Sequence, residues 1–153
     1  MNLNDLWDKI RNPNTDTIED FGDILQWLLP VIGLTAAIST GSKEATFLLQ
    51  WFLSTGGQAI SSTLLKRVFN FTSLGRRPNG GENSMPSGHA SAAFSGASFA
   101  AFAGLPIPFS AILFLLAGFT GYSRIRASKH RLRDVIAGAC LGTGISAACI
   151  FLL

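Results

Sequence analysis

Five apolar runs, at residues 24–40, 45–65, 90–104, 108–122 and 135–153, leave this chain few ways to fold. A helix that crosses a bilayer needs about 20 mainly apolar residues, at about 1.5 Å each across a core of roughly 30 Å. The last run meets that length and the fourth is short. The second is diluted by Ser54, Thr55, Gln58, Ser61 and Ser62. Only 14% of the 153 residues are charged, whereas soluble domains carry about a quarter. Mean hydropathy of +0.35 points the same way. The chain therefore reads as all-α, an integral membrane bundle of about five transmembrane helices whose second span faces protein rather than lipid.

Residues 1–23 form a separate polar segment ahead of a membrane domain at 24–153. Within it Leu3, Leu6, Trp7 and Ile10 recur at helical spacing. That pattern fits an N-terminal helix lying in the membrane interface, or equally one packed on protein loops. Asn12-Pro13-Asn14 breaks it, and Asp20 and Asp23 then fall where a helix N-terminus favours negative charge. No small-residue cleavage motif follows the first apolar run, which argues against a removable signal. Cys140 and Cys149 lie about 13 Å apart along one helix, too far to bridge, and read as two small buried thiols. Gly138 and Gly142 make a G-x-x-x-G pair, suited to close packing within the monomer or, less favoured, to a dimer face.

Most remaining polarity sits in two loops, 66–86 and 123–134. Two spans separate them, so both emerge on one membrane face, and two more spans bring the N-terminus to that face. An odd number between the loops would forbid a joint site.

Each loop holds one of the two histidines in the chain. Pro86-Ser87-Gly88-His89 opens the third span. Proline suits a first helical turn, and the N–H groups after it point at an incoming anion along a favourable dipole. Gly88 admits a ligand close to the backbone, and Ser87 adds a hydroxyl. In the second loop His130 and Asp134 are four apart, so on a helix they would share a face. A carboxylate on one imidazole nitrogen would fix the tautomer and free the other for attack. Arg124, Arg126, Lys129, Arg131 and Arg133 suit a multiply charged anion, although Lys129 and Arg131 also fit contact with anionic headgroups. Two histidines and one aspartate among cations are a poor metal site, and no metal or other cofactor is expected. Without an aromatic-rich basic surface, nucleic acid is not an expected partner.

These residues resemble the motifs of the type 2 phosphatidic acid phosphatase superfamily, which read K-x6-R-P, P-S-G-H and S-R-x5-H-x3-D. Pro86–His89 matches the second; Ser123, Arg124, His130 and Asp134 match the third at the family spacing. Arg77-Pro78 matches the end of the first, but the position expected to be lysine is Asn70, and Lys66 is the nearest lysine. Extra loop residues around 71–75 would return Lys66 to the site; otherwise Arg76 or Arg67 substitutes, or the site has one cation fewer.

The resemblance implies roles. His130 is the nucleophile, Asp134 orients it, and His89 protonates the leaving oxygen. Lys66, Arg77, Ser87, Gly88 and Arg124 bind the substrate phosphate. It further implies a metal-independent phosphatase acting on a phosphorylated lipid in the bilayer, with a lipid phosphotransferase or a non-catalytic membrane scaffold as alternatives. Soluble haloperoxidase relatives are disfavoured by the apolar spans. Of twelve Lys and Arg only Lys43 lies off the site's face, which by the positive-inside rule would be cytoplasmic. Resemblance instead favours the periplasmic face of a bacterial inner membrane, since several of these cations are needed for phosphate.

Overall fold

The structure, a computed structural model, describes residues 15–39 and 45–153. The expected interfacial helix around Leu3–Ile10 lies outside the described residues. Five α-helices follow in order: α1 Thr15–Ser39, α2 Ala45–Phe69, α3 Gly88–Phe102, α4 Ile107–Arg126 and α5 Leu132–Leu152. A short 3-10 turn, Ser73–Gly75, lies between α2 and α3. Among the described residues there is no strand. α1, α4 and α5 are long and apolar enough to cross a membrane.

α3 is the axle of the bundle. It has 15 residues and so is only about 22 Å long, shorter than a hydrocarbon core. It touches all four other helices, and Ala90, Ala93, Ala97 and Ala100 are fully buried. Small side chains permit this, because lipid supplies no hydrophobic drive and close backbone approach must do the packing. Methyl groups at Gly138 and Gly142 would lie 2.3 Å from the Ser87 carbonyl oxygen and 2.1 Å from that of Ser91. The G-x-x-x-G pair is therefore a seat for α3 within the monomer.

The polar dilution of α2 has a consequence in packing. Its buried residues are Gln50, Ser54, Gln58 and Ser62, one every four residues on a single face turned inward. Ser54 bonds both Ser95 of α3 (3.0 Å) and Ser146 of α5 (2.7 Å), closing a three-hydroxyl ring. The outward surface is apolar instead: Trp27, Phe52, Ile60, Leu115, Ile136 and Phe151 are all exposed. A polar interior and an apolar exterior suit a lipid solvent.

Several local expectations are corrected. α1 runs unbroken from Thr15 to Ser39, across the boundary expected at 23. Asp23 is consequently well inside a helix rather than at its first turn. The second polar loop shrinks to 127–131, because Ser123–Arg126 complete α4. Pro86 lies just before the Ser87 N-cap rather than in the first turn of α3. Cys140 is exposed and only Cys149 is buried.

Candidate active site

Helix parity brings the two loops together. The Asn79 N–H donates to the Ser128 carbonyl (3.2 Å), and Arg131 Nη1 donates to the Arg76 carbonyl (2.6 Å). The Ser87 N–H donates to the Asp134 carbonyl (2.8 Å), tying the start of α3 to the start of α5. Arg77-Pro78-Asn79-Gly80-Gly81 makes this possible by turning sharply: the Arg77 N–H reaches the Gly81 carbonyl (2.8 Å), with Gly80 at φ +87°.

His130 precedes α5 by two residues and is 3% exposed. Its N–H donates to the Arg124 carbonyl at 3.3 Å, which fixes it beside the end of α4. The imidazole is pushed down from its ordinary 6.5 to about 3. Burial is the main cause, followed by the charges of Lys66 and Arg77; Asp134 and the Ser84 backbone oppose them. The ring is thus neutral at physiological pH. Nδ1 is fully buried and has no hydrogen-bond partner.

The expected helical pairing of His130 with Asp134 does not form, because His130 lies outside the helix. Asp134 is the third residue of α5 and caps it, accepting from the Arg131 N–H (2.8 Å). The same oxygen accepts from the hydroxyl of Ser84, itself fully buried, at 2.6 Å. Asp134 therefore acts on His130 through its charge and through the loop it anchors.

Lys66 ends the buried stripe of α2, four residues beyond Ser62, and its charge is felt at His130. A methyl group on Gly88 would come within 3.2 Å of its ammonium, so the lysine lies against the start of α3. The additional residues of the first motif are absorbed by the turn after α2 and by the 3-10 turn Ser73–Gly75. Asn70, standing where lysine was expected, has another task. Its side-chain Nδ2 donates to Asn83 Oδ1, and its own Oδ1 accepts the Asn83 backbone N–H, both at 2.9 Å. Arg67 and Arg76 are exposed, and Arg76 pairs with Glu82 at 3.3 Å. Arg77 is half-buried, with its Nε buried and unpartnered.

Ser87 is fully buried and caps α3, its Oγ accepting from the Ala90 N–H at 3.4 Å. Gly88 and His89 form the first turn, half-buried. Arg124 is 1% exposed. Its Nε donates to Ser123 Oγ (3.1 Å) and its Nη2 to the Glu19 carbonyl (2.6 Å). Its Nη1 lies 2.7 Å from Asp23 Oδ1, and the same oxygen is 2.7 Å from His89 Nε2. Lys129 pairs with Glu19 and Arg131 with the Arg76 carbonyl, so both basic residues have protein partners rather than only headgroups to meet.

A buried and a half-buried histidine, three cations and a helix start thus converge on one end of the bundle, in an arrangement suited to phosphate. A family model described as PAP2 superfamily matches residues 26–152. The chain belongs to the PAP2 superfamily. No curated protein and no solved structure is significantly similar to it. PAP2 membership points to phosphatase-type chemistry. The matched segment contains all eight of the residues singled out from sequence: Lys66, Arg77, Ser87, Gly88, His89, Arg124, His130 and Asp134. Ser84 also falls within it but carries no sequence signal beyond its nearness to Pro86. Asp23 and Glu19 precede the PAP2 match; the sequence marks Asp23 only as a helix-terminus charge and gives no signal for Glu19.

Proposed function

We propose that the protein is a membrane lipid phosphatase that hydrolyses a lipid phosphate or diphosphate through a phosphohistidine on His130. The observation that carries this reading is a neutral, buried His130 beside Lys66 and Arg77, on the same face as His89 and the N-terminus of α3. In this reading the proton of the neutral ring sits on the buried Nδ1, and the Nε2 lone pair is free to attack. Nε2 attacks phosphorus and the P–O bond to the lipid breaks as the N–P bond forms. His89 gives its proton to the departing oxygen, then takes one from the water that attacks phosphorus and releases inorganic phosphate. Lys66, Arg77, Arg124 and the N–H groups of the first turn of α3 meet the negative charge, so that the reading calls for no metal. Asp134 holds the loop that presents His130.

A cleft of about 430 Å³ supports an amphiphilic substrate. Lys66, Gly88 and His89 line one end of it, and Trp27, Val31, Trp51 and Ala59 of α1 and α2 line the rest. Trp27 is 75% exposed, so the cleft opens sideways towards lipid. A phosphate at the Lys66 end would leave its hydrocarbon within the bilayer. In a bacterial cell this site would face the periplasm from the inner membrane.

Purified protein incubated with a panel of lipid monophosphates and diphosphates should release inorganic phosphate from at least one. Adding an acceptor lipid bearing a free hydroxyl separates hydrolysis from transfer: a phosphorylated acceptor at the expense of free phosphate would identify a phosphotransferase. Absence of release and of transfer across the panel would overturn the reading.

A further inference from the structure

Asp23 lies outside the residues matched to the family, yet it makes close contacts with two of the site's phosphate-facing groups. Its Oδ1 is 2.7 Å from both His89 Nε2 and Arg124 Nη1, and those nitrogens are 3.5 Å from each other. The reading above, on which this inference rests, assigns one nitrogen to the leaving oxygen and the other to a phosphate oxygen. An anionic oxygen bridging both therefore occupies the place of a substrate oxygen.

Three observations account for the carboxylate being there. Arg124 is almost fully buried, and a buried guanidinium without an anion is strongly unfavourable. The Glu19 carboxylate is 3.6 Å from Arg124 and is taken up by Lys129, so Asp23 is the closer counter-charge. Gly22 delivers it: a methyl group there would lie 2.0 Å from Ser123 Oγ, so only glycine lets this turn of α1 settle on the end of α4. Asp23 itself is 45% exposed, and a rotation of its side chain would carry the carboxylate into water.

A phosphate and a carboxylate cannot share the same two donors without like-charge repulsion. We propose that Asp23 sets the affinity of the site for phosphate as an internal competitor: its carboxylate holds Arg124 and His89 in the empty enzyme, and an incoming phosphate must displace it. Inorganic phosphate, with nothing to fill the cleft, competes poorly and leaves readily. A phosphate on a lipid chain recovers the cost through burial of hydrocarbon between α1 and α2. Asp23 thereby weakens the binding of both forms of phosphate alike, so that only the lipid-borne one keeps a useful affinity and free phosphate leaves the site.

The test is calorimetric titration of the purified full chain in detergent with inorganic phosphate, alongside KM and kcat for a lipid phosphate. Asp23→Asn and Asp23→Ser should each tighten inorganic phosphate by at least about tenfold, the scale of one like charge removed at partial screening. Product inhibition should increase and KM should fall. Asp23→Glu keeps the charge and should stay within about threefold of the parent; it also serves as the folding control for the position. Unchanged or weaker phosphate binding in the two neutral variants would overturn the proposal, as would a fall in kcat alone, which is the signature of a residue that merely positions His89. If lipid phosphate is hydrolysed and the neutral variants do not tighten, this inference alone fails. If the parent neither binds phosphate nor hydrolyses any lipid phosphate, the phosphatase reading fails and takes this inference with it.

Discussion

His89 and His130 are the same side chain in opposite settings. His130 sits in a five-residue loop, 3% exposed, with Lys66 and Arg77 near and one oxygen of its carboxylate neighbour Asp134 held by Ser84 and the Arg131 N–H. His89 sits on the first turn of a helix, its side chain 29% exposed, with the carboxylate of Asp23 directly on Nε2. One ring is kept neutral by burial and cations, as a nucleophile requires; the other has an anion, Asp23, and a cation, Arg124, both on its Nε2. The difference teaches that division of labour here follows from long-range contacts. Asp134 is four residues from His130 and does not bond its ring, whereas Asp23 is 66 residues from His89 and does.

The two histidines can be separated by mutation. His130→Ala should lower phosphate release from a lipid phosphate by about 10⁴-fold or more, since no covalent route remains. Equal release by the variant would remove His130 from the chemistry. His89→Gln should cost about 10²–10⁴-fold on a lipid ester and much less on an aryl phosphate, whose leaving group needs no proton. A uniform loss on both substrates would contradict the acid role.

The surroundings of His130 give smaller effects. Lys66→Ala should reduce kcat/KM by roughly 10²-fold through loss of one charge-assisted contact to phosphate. Arg67→Ala and Arg76→Ala should change it by about twofold at most, because both are exposed. If Arg67→Ala were the damaging change, the first-motif cation would be misassigned. Ser84→Ala removes the hydroxyl that Asp134 accepts and should destabilise the protein by about 1–3 kcal/mol in thermal unfolding.

A titration sharpens the contrast without altering a residue. By NMR of protein labelled with ¹⁵N-histidine, one ring should remain neutral down to pH 5, and the His130→Ala variant should lack that resonance. In the unfolded chain a histidine takes up its proton near 6.5, while the folded ring holds out to about 3. Protons then bind the unfolded state preferentially, so this group's contribution to stability is present above pH 6.5 and is lost as pH falls from there towards 3. A His130 titrating near 6.5 would refute the neutral-nucleophile setting.

Much of the scaffold was legible from sequence because its signals are local. Apolar runs gave the five helices, and the polar dilution of residues 45–65 gave a span turned inward. Counting spans placed both histidine loops on one face. What was not legible depends on where helices begin and on contacts across the bundle. The His130–Asp134 spacing suggests a shared helical face, but α5 starts at Leu132 and turns Asp134 into its cap. Asn70 looked like a lost lysine and is instead a clasp for Asn83 across 13 residues. Asp23 looked like a helix-terminus charge, and nothing near it in sequence announces a partner in α3 or α4.

Oxygen exchange tests the central claim most directly, because it does not depend on knowing the lipid. Purified protein is incubated with inorganic phosphate in H₂¹⁸O, and the phosphate is followed by mass spectrometry. Formation of phosphohistidine from phosphate expels one oxygen as water, and its hydrolysis returns one from the solvent. The account predicts progressive ¹⁸O incorporation by the parent protein and none above background by His130→Ala. No exchange by the parent, or equal exchange by the two, would contradict a covalent intermediate on His130.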